Sequence, residues 1–277
     1  LENLSSQTTV YRPPAGWVSL NFRELWRYRE LLYFLAWRDL KVRYKQTFFG
    51  AAWAIAQPFV TMVVFSIFFG NFADIPSGDV PYPIFSYVAL LPWNLFNGII
   101  SQNSTSLTAN RQLLTKVYFP RLIIPLSTML LYLVDFGIAF LVLLGLMLYY
   151  QISLTSAIFA LPFFILLAVL TSLGVSLWLA ALHVRYRDIR FLTDFMLRMW
   201  LFITPITYAS SLVPEDLRPL YNLNPLVAVV EGFRWALLGQ DQFLTPWMIL
   251  SILVSLVLLI SGLYYFRRME QTFADMV

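Results

Sequence analysis

Apolar runs of about 20 residues or more, the length an α-helix needs to cross the hydrocarbon core of a bilayer, recur along this chain. The first extends from about Gly50 to Gly70, and others lie at about Ile84–Leu107, Leu122–Tyr149, Ala157–Leu182, Phe191–Ser210 and Pro246–Phe266. Pro205 is expected to bend the fifth. A soluble alternative fails on composition, because 59% of the residues are hydrophobic and 12% charged, against roughly 25% charged in a soluble domain. Mean hydropathy is +0.69. The first run also begins later than a cleaved signal peptide would. The expected fold is an all-α integral membrane domain of six spans over residues 49–266, the final span returning the chain to its starting side.

Charge assigns the sides. Sixteen of the nineteen Lys and Arg residues fall before the first run, in the loops 108–121 and 183–190, or at Arg267 and Arg268. Only Arg198, Arg218 and Arg234 lie elsewhere. The positive-inside rule makes that side cytoplasmic, with both termini there. The basic residues are split among short membrane-flanking loops, which argues against nucleic acid as a partner.

Residues 1–20 read as a flexible cytoplasmic tail, residues 21–48 as an amphipathic interface helix with its linker, and residues 267–277 as a cytoplasmic tail. Asn21 and Glu24 have capping-box spacing, and Phe22, Leu25, Trp26 and Tyr33 form an apolar face that either anchors to the membrane surface or docks a partner. Between spans five and six, Pro214, Pro219 and Pro225 precede the apolar Leu226–Val230 and the charged Glu231 and Arg234. A helix over about Leu226–Leu238 is too short to cross, so a re-entrant or outer-surface hairpin is expected.

Chemistry of its own is missing. There is no cysteine, and the single histidine, His183, suits a membrane edge. None of the glycines opens a G-x-x-x-x-G-K-[ST] phosphate loop, and no G-x-S-x-G or H-E-x-x-H is present. No catalytic residue, metal site or bound cofactor is expected, so uphill transport would draw on another subunit or an ion gradient.

Several side chains are candidates for a path through the membrane. In the second span Asn94, Asn97, Ser101, Ser104, Thr105 and Thr108 follow helical spacing, and such a stripe serves either interhelical hydrogen bonds or a wet pathway. Phe65, Phe68, Phe69 and Phe72 line one face of the first span, facing lipid or forming a ring-lined wall. In the fifth span Arg198 shares a face with Phe191, Phe195 and Phe202, and either pairs with Asp194 at i, i+4 or meets cargo. Asp135 pairs inside the bundle or touches cargo.

Three stretches together resemble the membrane permease of polysaccharide ABC exporters, the ABC-2 class that handles O-antigen, capsule and teichoic acid. They are Trp37–Pro58 (WRDLKVRYKQTFFGAAWAIAQP), Leu91–Pro125 with LPWNLF and NRQLLTKVYFPRLIIP, and Val184–Asp188 (VRYRD) with the later ITPI, LNPL and EGFRW. The resemblance implies a homodimer bound to two copies of a separate ATPase that holds ATP and Mg, with a lipid-linked polysaccharide as cargo, most simply O-antigen on a polyprenyl diphosphate. It implies that Lys116, Val117, Tyr118, Phe119, Pro120 and Arg121 form the coupling element seated in the ATPase, with Tyr118 and Phe119 as apolar anchors. Lys116 and Arg121 also satisfy the positive-inside rule without docking anything. The same resemblance makes Glu231 and Arg234 an exit gate and sets the chain in the cytoplasmic (inner) membrane, while the residue patterns above nominate Phe65, Phe68, Phe69, Asn94, Asn97, Ser101, Phe195, Arg198 and Phe202 for the substrate path. An ABC-2 drug or lipid permease, a membrane-embedded glycolipid enzyme and an ion-coupled flippase are the competing classes.

Overall fold

Every described element is helical in the computed structural model, which describes residues 22–45, 52–153, 155–239, 247–270 and 273. The tail 1–20, the Asn21 cap, the linker after Lys45, Pro246 and most of the C-terminal tail lie outside those residues. Five helical stretches are long and apolar enough to cross a membrane: Ala52–Phe72, Tyr82–Ala109, Ile123–Tyr149, Ser156–Arg185 and Trp247–Glu270. Each coincides with an expected run to within a few residues.

Two short helices, α1 (Phe22–Arg27) and α2 (Arg29–Lys45), precede the spans. The expected apolar face divides. Leu25, Leu31 and Leu32 pack inward, while Trp26 and Tyr33 remain exposed. The first span is α3 (Ala52–Phe65) continued by a π-helical turn, Ser66–Phe72. The wider π turn separates the phenylalanines expected on one face. Phe65 and Phe69 are half-buried, whereas Phe68 and Phe72 are exposed.

The second span, α4 (Tyr82–Ala109), is the most buried of the five. It packs against α3, α6 (Ile123–Tyr149), α7 (Leu161–Arg185), α8 (Ile189–Ile203) and α10 (Pro225–Leu238). Between α4 and α6 lies α5 (Arg111–Lys116), between α8 and α10 the single turn α9 (Arg218–Tyr221), and α11 (Trp247–Glu270) is the last span. Helices α7 and α11 meet backbone to backbone: a Cβ on Gly174 would stand 2.6 Å from the Leu258 carbonyl carbon, and one on Gly262 2.3 Å from the Gly174 carbonyl oxygen. Without a hydrophobic drive between helices in lipid, such close packing and polar links hold spans together. Thr171 donates to Ser255 at 2.9 Å and Trp178 to Ser261 at 3.1 Å.

The run expected as the fifth span behaves differently. Helix α8 has 15 residues, about 22 Å at 1.5 Å per residue. It stops at Ile203 rather than bending through Pro205, because the residue before a proline is driven out of the helical region. Thr204 there has ψ 141°. Helix α10, 14 residues long, starts from Asn224, whose side chain accepts from the Leu226 amide, with Pro225 in the first turn, and ends at Gly239 in the left-handed region at φ 70°. Only Glu231, Trp235 and Leu238 of its residues escape full burial, and it is packed among α4, α7 and α11. A second, smaller apolar cluster joins Leu35 of α2, Leu107, Leu114, Phe119, Ile123, Phe266 and Phe273. Lys116, Arg121, Arg185 and Arg267 surround it in sequence, and it marks the basic end of the bundle.

Candidate functional site

At the basic end, α4 closes on Asn110, whose side-chain amide donates to the Ser106 carbonyl at 2.9 Å. After α5, Val117 turns extended and the chain re-enters the bundle. The six residues expected to couple face two ways. Lys116, Val117 and Tyr118 are exposed. Phe119 is only 4% exposed within the basic-end cluster, and Pro120 is buried. The Arg121 amide donates to Glu270 Oε1 at 2.9 Å, and its guanidinium donates to the Glu270 carbonyl. Phe119, Pro120 and Arg121 therefore anchor the loop inward, while its outer half, Lys116 to Tyr118, stays exposed.

Beside this loop opens a cavity of about 900 Å³. One wall is the inner half of the α4 stripe, Ser101 to Thr108; the other carries Arg111, His183, Arg187, Arg190 and Asp194. The stripe hydroxyls turn back on their own helix: Ser104, Thr105 and Thr108 donate to the carbonyls of Ser101, Gln102 and Thr105. Asn103, outside the expected stripe, makes an interhelical bond instead, its amide donating to Ser176 at 3.1 Å. The arrangement offers the guanidinium groups of Arg111, Arg187 and Arg190 to an anionic group, and the hydroxyl oxygens, their protons already engaged, as acceptors to a donor beside it.

A second cavity of about 150 Å³ lies further along α4. It brings together Asn94, Asn97 and Ser101 with Trp53, Gln57 and the ion pair of Arg43 and Asp135. That pair spans 2.9 Å, and the Tyr44 hydroxyl donates to the same carboxylate. Burial pushes the Tyr44 phenol up, and its hydrogen bond to Asp135 pushes it further. For Arg43, burial works against the charge, but Tyr132 and Asp135 outweigh it and the guanidinium is raised. Sequence reasoning offered Asp135 either a bundle partner or cargo. The structure gives it Arg43 and Tyr44, and the signal was available as a lone acid in an apolar span needing a cation.

On α8, Phe191, Phe195, Arg198 and Phe202 are all exposed on the helix surface. No ion pair joins Arg198 to Asp194 among the described residues, and Arg198 lies outside the lining of both cavities. Arg234 is fully buried, paired to Glu231 at 3.1 Å. It donates to the Tyr208 and Ile206 carbonyls at 3.2 and 3.1 Å and sits 3.7 Å from the Phe85 ring centroid. Among the described residues no three His, Cys, Asp or Glu side chains gather as metal ligands.

Residues 30–238, from α2 to the end of α10, match the ABC-2 type transporter family. The chain belongs to this family. It is 31% identical over 260 residues to the O-antigen export system permease protein RfbA of Myxococcus xanthus, covering 92% of this chain and 98% of the relative. An O-antigen export system permease protein RfbA of Klebsiella pneumoniae is 27% identical over 251 residues, 90% and 95% of the two chains. The polysialic acid transport protein KpsM of Escherichia coli is 24% identical over 244 residues, 84% and 91% of the two. The ABC-2 match covers both cavities, the loop 110–121 and the buried α10, while α11 lies beyond it. This is a multi-pass membrane protein of a transporter family.

Proposed function

We propose that this chain is the transmembrane subunit of an ATP-driven exporter that moves a lipid-linked polysaccharide, most simply O-antigen on a polyprenyl diphosphate, across the cytoplasmic membrane. The likeness to an O-antigen export permease along 98% of that relative carries the reading. Two copies of the chain form the path, and two copies of a separate ATPase, which holds ATP and Mg, bind the basic, cytoplasmic end. There are six crossings, with α8 as a short fifth. Supporting this, Leu35 before the first span and Phe266 at the end of the last share one cluster, an arrangement that an even number of crossings between them accounts for.

The 900 Å³ vestibule receives the anionic carrier headgroup, since Arg111, Arg187 and Arg190 supply charge-assisted hydrogen bonds. The glycan then follows the polar face of α4 and the exposed rings of α8, where ring faces give many weak contacts to a sliding chain. Re-entrant α10, with Glu231 and Arg234, stands at the exit. ATP-driven closure of the partner subunits pushes on Lys116, Val117 and Tyr118.

The test supplies this chain and its ATPase to cells lacking their own O-antigen export permease and measures surface glycan. Export is expected, and the double variant Arg187→Ala, Arg190→Ala should lower it at least about tenfold, since even one charged hydrogen bond is typically worth about 1.5–3 kcal/mol. Undiminished export at normal protein levels removes the vestibule from the path. Likeness to the polysialic acid transport protein KpsM favours a second reading with an acidic polysaccharide as cargo, decided by which glycan reaches the surface.

A further inference from the structure

Helix α2 touches the bundle through two polar contacts as well as an apolar face. Arg38 donates to Asn110 Oδ1 at 3.1 Å, the residue that closes α4 and opens the loop 110–121. About a turn and a half further along, Arg43 meets Asp135 Oδ2 at 2.9 Å and Tyr44 donates to Asp135 Oδ1. The Arg43 guanidinium also stands 4.7 Å from the Tyr132 ring centroid. Asp135 lies roughly 18 Å along α6 from Ile123 at 1.5 Å per residue. One contact is therefore at the loop and the other deep against a span. N-terminal to both pins, Leu31, Leu32 and Leu35 seat the helix on the basic-end cluster.

An α-helix is stiff over so short a distance, so a displacement of Asn110 cannot leave Asp135 untouched unless a contact breaks. Asp135 and Arg43 also line the 150 Å³ cavity with Gln57, Asn94 and Asn97, so moving that contact moves a cavity wall. We propose that α2 is a strut pinned by Arg38 to the loop 110–121 and by Arg43 and Tyr44 to Asp135, carrying motion of the loop to the wall of the polar cavity. Asp135 is then a positioning residue. What passes the cavity rests on the export reading; the pins rest on geometry alone.

The experiment uses the complex with its ATPase in proteoliposomes and reads glycan moved per ATP hydrolysed. Tyr44→Phe and Arg38→Gln, which remove a contact without stranding a buried charge, should each lower that ratio, and Asp135→Asn should lower it about tenfold, within the usual range of coupling between sites. The reversed pair Arg43→Asp, Asp135→Arg should recover export relative to Asp135→Asn. An unchanged ratio in Tyr44→Phe and Arg38→Gln overturns the proposal, as does a reversed pair that accumulates normally yet exports no better than Asp135→Asn. Because the chain has no cysteine, spin labels on Trp37→Cys and Val134→Cys, both at exposed positions, report the α2–α6 distance whatever the cargo. That distance should stay narrow through the nucleotide cycle and broaden in the Asp135→Asn background. Equal widths in both overturn the strut even if the cargo proves not to be a glycan, and failed glycan export with the expected broadening overturns only the export reading.

Discussion

Arg234 shows how a single side chain holds an irregular segment inside a membrane bundle. Pro205 ends α8, and the backbone that follows must find donors for its carbonyls away from water. The Arg234 guanidinium supplies them to Ile206 and Tyr208, while Glu231 and the face of Phe85 balance its charge. Removing one member of a buried pair strands the rest, typically at 3–5 kcal/mol. Arg234→Met should therefore lower the melting temperature of the detergent-solubilised protein steeply. The double variant Glu231→Gln, Arg234→Met should recover part of the loss because no bare carboxylate remains. Equal melting temperatures for Arg234→Met and the unmodified protein would remove the staple. The sequence pattern identified Glu231 and Arg234 as charges in a short apolar helix, and the gate role was implied by the family resemblance alone. Which carbonyls Arg234 serves depends on where α8 stops, which no local pattern near position 234 reveals.

Among the elements, the glycines divide by what lies opposite them. Gly174 and Gly262 face backbone across the α7–α11 crossing, where a Cβ has no flexible neighbour to displace. Gly137 and Gly145 in α6 have nothing within 4 Å of an added Cβ. Gly262→Ala should thus force the two helices apart and lower thermal stability, by about 1–3 kcal/mol as overpacking usually does. Gly145→Ala should be neutral or raise it by up to about 1 kcal/mol through the helix preference of alanine. Similar melting temperatures for the two variants would contradict the close crossing. The long helices were legible because each apolar run by itself specifies a crossing helix. Two details were not. Hydrophobicity continues past Pro205 although the helix does not, and the π turn at Ser66–Phe72 breaks the 3.6-residue spacing on which a single Phe65–Phe72 face depended.

At the scale of the whole molecule, the basic end serves both as a packing layer and as the surface on which the proposed ATPase acts. Charge counting found that end from the chain alone, and helical spacing found the polar face of α4, because both are periodic or cumulative signals. The inward turn of Phe119 and the capture of Arg121 by Glu270 depend on α11, far away in sequence, so the loop read as if all six residues faced out. The two roles separate by mutation. Tyr118, 64% exposed, is placed as an interface anchor, and truncating such an aromatic typically costs about 2 kcal/mol or more, roughly 30-fold in affinity. Tyr118→Ala should weaken binding of the purified ATPase to the permease in nanodiscs by that factor while lowering the melting temperature far less than Phe119→Ala. Phe119→Ala should do the reverse, opening a cavity among Leu35, Leu114 and Phe266 at about 3–5 kcal/mol and lowering stability first. Wild-type ATPase affinity in Tyr118→Ala would mean that the partner grips another part of the basic end, and the loop's exposed half would lose its assigned role.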